Sequence, residues 1–227
     1  MKKYVYLLVA LFGLTSAVNA NGINVGVSLT GGVFDADGTE KFSGAHVSGG
    51  SPGTVTKKTS TEGDDAETLF AYGSLFIEKE INDTIAVGFD YVPQSLDSET
   101  TENTQKTTTS SATGTNKVSV SFENMMTAYV TARSPAGVYA KVGYVEVDVA
   151  TNEVLATGSK YPDTSLEGFL IGVGYDMDLD NGMFARVEAN MMEFDDVSVK
   201  STVDATKSIE ASGIEGYGAR VSIGKSF

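Results

Sequence analysis

Six charged side chains stand apart from the other ionisable residues of this 227-residue chain: Asp90, Glu123, Lys141, Arg186, Glu188 and Arg220. Each lies in a stretch that alternates apolar with small or polar residues, on the face shared with glycine, serine or asparagine. Three positive and three negative charges can neutralise one another, and charges taken out of water persist when they are paired and hydrogen-bonded. In a closed structure such a set fills the interior with salt bridges; where water enters, rearranging pairs can instead gate a narrow ion path. No catalytic constellation competes with this set. The chain has one histidine, His46, in the Gly/Ser-rich run Ser43-Gly44-Ala45-His46-Val47-Ser48-Gly49-Gly50, which is poor support for a reacting geometry. The absence of cysteine removes thiolate nucleophiles, thiolate metal sites, disulfides and a lipoprotein anchor. Asp35-Ala36-Asp37-Gly38-Thr39-Glu40 imitates the start of a calcium loop, but its glycine comes at the fourth place and His46 stands at the twelfth, where glutamate is needed. The expectation is therefore no enzyme, no cofactor and no dedicated metal site.

A net charge of −14 opposes a nucleic-acid partner, since phosphate contacts need clustered Lys and Arg. The N-terminus has the parts of an export signal: Lys2 and Lys3, an apolar run from Tyr4 to Val18, then Val18-Asn19-Ala20 with small residues at the cleavage positions. That run is shorter than the ~20 residues a spanning helix requires, although an uncleaved anchor is the alternative. The expected organisation is a signal peptide over 1–20 and one domain over 21–227. No later stretch is long and apolar enough to span a bilayer as a helix.

What positions the six charges is a set of period-two segments. Ile23, Val25, Val27 and Leu29 alternate with Asn24, Gly26, Ser28 and Thr30; Ile85, Val87, Phe89 and Tyr91 alternate with Ala86, Gly88 and Asp90. Phe169 to Tyr175, Ala185 to Met191 and Tyr217 to Ile223 repeat the pattern, and 67–80, 118–133 and 138–149 follow it less cleanly. These predict eight strands. Connections 81–83, 134–137 and 177–182 are short and rich in turn formers. Tracts 35–66, 93–117, 150–165 and 195–212 are long and polar, and 101–115 is a low-complexity Thr/Ser run expected to be mobile. Short connections at one end and long ones at the other suit an outer-membrane barrel, whose spanning strands need only about 9–11 residues. A soluble sandwich or lipocalin-like barrel is the competing reading. The faces separate the two: one face is apolar, and the other mixes glycine with isolated charges that suit a lumen just wide enough for side chains.

The last eleven residues, Tyr217-Gly218-Ala219-Arg220-Val221-Ser222-Ile223-Gly224-Lys225-Ser226-Phe227, resemble the signal by which bacterial outer-membrane barrels are recognised for insertion. Tyr217, Ala219, Val221, Ile223 and Phe227 match it; Lys225 departs from it and could snorkel to the interface. Val138-Tyr139-Ala140-Lys141-Val142-Gly143-Tyr144, the stretch from Glu167-Gly168-Phe169 to Gly174-Tyr175-Asp176, and Phe184-Ala185-Arg186-Val187-Glu188 with Phe194-Asp195 resemble the fifth, sixth and seventh strands of the small OmpA-like and opacity-type surface barrels. The resemblance implies an all-β, eight-stranded antiparallel transmembrane β-barrel in the outer membrane of a Gram-negative bacterium, with short periplasmic turns and four long extracellular loops. Tyr91, Tyr144, Tyr175 and Tyr217 are expected to be interfacial girdle residues. The expected role is non-enzymatic: envelope integrity and surface interaction through acidic mobile loops. The alternatives are a low-conductance, porin-like channel for small solutes and a lipid A-modifying enzyme. Implied partners are outer-membrane lipid and lipopolysaccharide, the barrel-assembly machinery during insertion, and an unknown extracellular ligand or host or phage contact. Acids such as Asp97, Glu99, Glu193, Asp195 and Asp196 near the outer strand ends read as a hydrated crown, or as groups bridged through divalent cations to lipopolysaccharide phosphates.

Overall fold

The period-two segments pair with their sequence neighbours because three of their connections allow nothing else. In the computed structural model, which describes residues 22–42, 68–98, 100–106, 113–154, 160–203 and 207–227, each short connection is closed by turn chemistry. The Asn82 side-chain carbonyl accepts from the amides of Thr84 (2.9 Å) and Ile85 (2.8 Å). Gly137 supplies a φ of 88° where the chain reverses after Ser134, whose amide donates to the Val138 carbonyl at 2.8 Å. Asn181 and Gly182, at φ 62° and 72°, turn the chain at the third.

The strands in chain order are β1 (Ile23–Phe42), β2 (Thr68–Glu80), β3 (Ile85–Tyr91), β4 (Leu96–Asp97), β5 (Thr101–Lys106), β6 (Thr113–Arg133), β7 (Val138–Val154), β8 (Thr164–Asp178), β9 (Met183–Phe194), β10 (Val197–Lys200) and β11 (Lys207–Ser226). Eight of them form a closed antiparallel ring, β1-β2-β3-β6-β7-β8-β9-β11, in which β11 returns to pair with β1. The β1–β11 ladder runs from Asn24↔Ser226 to Phe42↔Lys207. The ring is sealed at its short-turn end by Gly22 N–H donating to the Phe227 carbonyl (2.7 Å) and Phe227 N–H to the Ile23 carbonyl (2.9 Å). The expected eight-stranded transmembrane barrel is the observed fold.

Residues that alternate in sequence alternate across the wall. Val25, Val27 and Leu29 of β1, Val142 of β7, Ile171 and Val173 of β8, and Val221 and Ile223 of β11 stand exposed on the outside. Asn24, Ser28, Thr30, Thr131, Lys141, Glu188 and Arg220 are buried inside. In water an apolar belt of that extent would drive association; against hydrocarbon it is the solvated surface, and ring closure leaves no strand edge between membrane faces except where described below.

The strands run further than expected. β1, β6, β7 and β11 extend into the tracts anticipated as loops, reaching 17 to 21 residues. The Thr-rich run is not a free tract throughout: Thr101–Lys106 pairs with β6 from Thr113 to Val118. β4 also pairs with β6, and β10 with β11. Asp35 and Asp37 lie within β1, so the calcium-loop imitation begins in a strand. The expected signal peptide, Glu99 and all of 43–67, including His46, lie outside the described residues.

Candidate functional site

The interior has two levels of opposite chemistry. The lower level, toward the short turns, is polar. Arg220 on β11 meets the Asp90 carboxylate of β3 and donates to the hydroxyls of Ser28 (2.7 Å) and Ser74 (3.1 Å), while Ser74 donates to Asp90 at 3.2 Å. Arg186 on β9 donates through Nη1 to Glu78 (2.6 Å) and through Nε to Asp176 (2.8 Å). Lys141 Nζ lies 3.5 Å from Glu188 Oε2, which also accepts from Tyr139 OH at 2.9 Å, while Asn190 donates to the other oxygen at 3.0 Å. Tyr129 OH donates to Glu78 at 3.0 Å and its ring carries the Lys141 ammonium 4.2 Å from its centroid. Charges buried this completely persist because each carboxylate is paired with a cation, while Asp176 Oδ1 and Asn190 Oδ1 are buried without a partner.

Glycine makes room for the aromatic part of this plug. Gly26 faces Phe76, Gly88 faces Tyr129, Gly174 faces Tyr139 and Gly224 faces Phe184, each as a direct cross-strand pair. A Cβ on any of these glycines would collide with the partner's ring. The rings in turn sandwich the cations: Arg186 lies 4.5 Å from the Phe184 centroid and 5.6 Å from that of Tyr139.

Five of the six charges singled out in the sequence, Asp90, Lys141, Arg186, Glu188 and Arg220, meet in this plug; Glu123 does not. Inward positions on β6 are Thr127, Tyr129 and Thr131, which would put Glu123 inside by simple alternation. A bulge intervenes: the register with β7 shifts between Glu123 and Met126, and Asn124 adopts φ 53°. One extra residue exchanges the faces, so Phe122 and Val120 turn inward and Glu123 is exposed. Glu78 and Asp176 supply the carboxylates instead, both almost fully buried. Asp176 shares the parity of Gly172 and Gly174, and Glu78 that of Ser74 and Phe76. Those parities were the available signal. Arg133, one-third exposed at the turn end, lies 3.4 Å from Asp176 and 2.9 Å from Asp178.

Above the plug the interior becomes apolar. Phe34, Tyr72, Phe122, Met125, Val147, Leu166, Met192, Phe194 and Ile214 surround a cavity of about 500 Å³. Phe34 meets Phe122 and Phe194 edge-on, with centroids 5.6 Å and 6.4 Å away. At the plug the free space falls to about 10 Å³, room for about one water.

The cavity also reaches through the wall. Leu69 and Ala71, on the outer face of β2, line it together with Phe70 and Tyr72 on the inner face, opposite Ser95, Leu96, Asp97 and Ser98. Both faces of β2 thus border the cavity, along a stretch where no described strand lies against its edge. The β2–β1 ladder continues to Thr68↔Phe34, but the β2–β3 ladder ends at Leu75↔Tyr91. Pro93 accounts for this, since it lacks an N–H and fixes its φ. Val92 N–H donates to the Met125 carbonyl (2.9 Å), and beyond Pro93 the chain follows β6 alone through Leu96↔Phe122, Asp97↔Ser121 and Ser98 N–H to the Val120 carbonyl (2.8 Å). Among the described residues no strand pairs with β2 above Leu75 on that side.

The five matching positions of the C-terminal segment, Tyr217, Ala219, Val221, Ile223 and Phe227, all face outward, and Lys225 holds its ammonium 5.2 Å from the Phe227 ring centroid. Tyr144 and Tyr217 lie toward the long-loop end and Tyr175 beside the turn at Gly137, all exposed on the outer face; Tyr91 is half-buried. Among the described residues no group of His, Cys, Asp or Glu has metal-site geometry.

No family model and no curated protein matches the chain. Solved structures do. OprG, an outer membrane protein from Pseudomonas aeruginosa, superposes over 92% of this chain and 96% of its own with a TM-score of 0.53 at 9% identity. Neisserial surface protein A covers 92% of this chain and 100% of its own (TM-score 0.42, 10% identity). The outer membrane protease OmpT from Escherichia coli covers 94% and 100% (TM-score 0.36, 10% identity). The class defined by fold and surface is thus the small outer-membrane β-barrel, and at these identities the likeness is one of architecture.

Proposed function

We propose that this protein is a non-enzymatic outer-membrane barrel that takes small apolar molecules into its outer half and exchanges them sideways with the lipid. One observation carries the reading: the apolar cavity lies above the charge plug and, among the described residues, is bordered at its side by an unpaired edge of β2. A molecule of hydrocarbon or aromatic character fits a lining of phenylalanine, methionine and aliphatic residues, and its transfer from water is favourable by about 25 cal/mol per Å² buried. The plug argues against conduction through the lumen, because an ion path would require Arg220–Asp90 and Arg186–Glu78–Asp176 to part together. The cleavable signal and insertion by the barrel-assembly machinery belong to the same reading.

The test exploits the absence of tryptophan from the sequence. A Phe122→Trp reporter in lipid nanodiscs should transfer energy saturably to N-phenyl-1-naphthylamine. Adding Ala211→Phe, which grows a side chain into the cavity, should weaken that binding on the order of tenfold. Linear, non-saturable transfer that is identical in both proteins would reject the reading.

A second reading, surface and lipopolysaccharide contact, is supported by a row of carboxylates above the belt. Asp35 lies opposite Glu215, Glu215 opposite Glu193, and Glu146 opposite Glu167. Like charges directly opposite on adjacent strands are destabilising, so their presence favours a partner that neutralises them, such as divalent cations shared with lipid phosphates.

A further inference from the structure

Immediately below the uncovered edge of β2, a side chain takes the place of a strand. Gly73 is the first β2 residue past the end of the β3 ladder whose backbone N–H and C=O face the gap. The Gln94 amide, one residue after Pro93, lies across it. With the amide oriented to match donors to acceptors, Gln94 Nε2 donates to the Gly73 carbonyl (3.0 Å) and Gln94 Oε1 accepts from the Gly73 N–H (2.5 Å). A neighbouring antiparallel strand would make the same pair of bonds to one residue. The side chain therefore extends the ladder by one step using atoms that can leave without moving the backbone. A Cβ at Gly73 would meet the Gln94 amide only at ordinary van der Waals distance, 3.8 Å, so a small side chain there leaves the crossing intact.

We infer that Gln94 is the latch of the lateral opening: released, it lengthens the uncovered edge of β2 toward the membrane centre and lets a ligand pass between cavity and lipid; engaged, it holds the ligand in. This rests on the proposed apolar-ligand function and adds its regulation. The geometry supports a gate over a static brace for three reasons. The bonded groups border the cavity mouth, with Ala71 and Tyr72 on one side and Ser95 on the other. Pro93 prevents β3 from replacing the lost bonds with backbone ones. Gln94 is half-buried, at the boundary between interior and lipid, where an amide can turn to Ser95 or to headgroup water when it leaves Gly73.

The experiment separates exchange rate from affinity. In the Phe122→Trp reporter, the naphthylamine probe is pre-bound in nanodiscs and its escape into excess probe-free vesicles is followed by stopped flow. Gln94→Leu keeps the bulk and removes both hydrogen bonds; it should speed escape on the order of tenfold while leaving saturation at equilibrium close to that of the parent. In the opposite direction, Gly73→Cys with Gln94→Cys, bridged by dibromobimane in this cysteine-free chain, should slow escape by about the same factor, with speed regained in the unbridged protein. Equal escape rates in the Leu variant, the bridged protein and the parent, with binding intact, would overturn the latch and leave the apolar-ligand function standing. Loss of saturable binding in the parent itself would overturn both. A Leu variant that loses its gel heat-shift has not folded, and the bridged pair then decides alone.

Discussion

Arg220 shows what a single lumen residue must satisfy. Its guanidinium is held by Asp90, Ser28 and Ser74, from three different strands, and it is 6% exposed. Removing the carboxylate strands the cation, because desolvation remains and the compensating charge is gone. Asp90→Ala should therefore lower the unfolding free energy by about 3–5 kcal/mol. The double variant Asp90→Leu/Arg220→Met, which removes both charges, should recover most of that loss. Urea unfolding in lipid vesicles, followed by tyrosine fluorescence, measures both. An Asp90→Ala protein as stable as the parent would mean that water reaches Arg220 and that the plug is not dry.

Strand by strand, the acidic row poses the next question. Glu215 faces Glu193 on β9 and Asp35 on β1. In phospholipid alone, Glu215→Gln should stabilise the barrel by roughly 0.5 kcal/mol by relieving that repulsion. With lipopolysaccharide and magnesium present the order should reverse, the parent becoming the more stable, as read by thermal midpoints in the two lipids; no reversal would remove the second reading. Legibility also divides by element. β1, β8, β9 and β11 were plain in the sequence because both faces obey one rule, apolar outside and small or polar inside. β2 hid Glu78 because Phe70, Tyr72 and Phe76 share the inward face, blurring the alternation. β6 concealed its bulge at Asn124, a backbone event that no residue type demands there, and Glu123 was misplaced as a result. The cavity was invisible for a related reason. Above the plug the rule reverses: Val145, Val147 and Val149 of β7 and Phe34 of β1 are apolar inside, while Glu146, Asp148 and Asp35 are the polar outer residues, so a rule of polar inside and apolar outside does not find the cavity. Pro93 was visible as a residue, but its effect depends on which strand lies beyond it.

At the scale of the molecule, the barrel is inside-out relative to a soluble protein: Val142, Ile171 and Val221 are each more than half exposed, whereas Thr30 is fully buried. Such a ring should resist dodecyl sulfate until heated, since the detergent must break a ladder that closes on itself through β1 and β11. Outer-membrane fractions run with and without boiling should show two mobilities for this chain. A single mobility, with the protein in the soluble periplasmic fraction, would overturn fold and compartment together.

The ladder between β1 and β11 joins residues nearly the whole chain apart, Asn24 with Ser226 and Val25 with Lys225. Order of events follows from that connection. The strand that leaves the ribosome first cannot acquire its second neighbour until the strand that leaves last has arrived, so the barrel cannot insert as it is made. Ring closure therefore waits on a contact between the first and last strands of the ring, the kind of long-range pairing that slows folding. The chain's acidic tracts then have a task before the fold exists: self-repulsion keeps a chain destined for hydrocarbon dispersed in water until its two ends can meet.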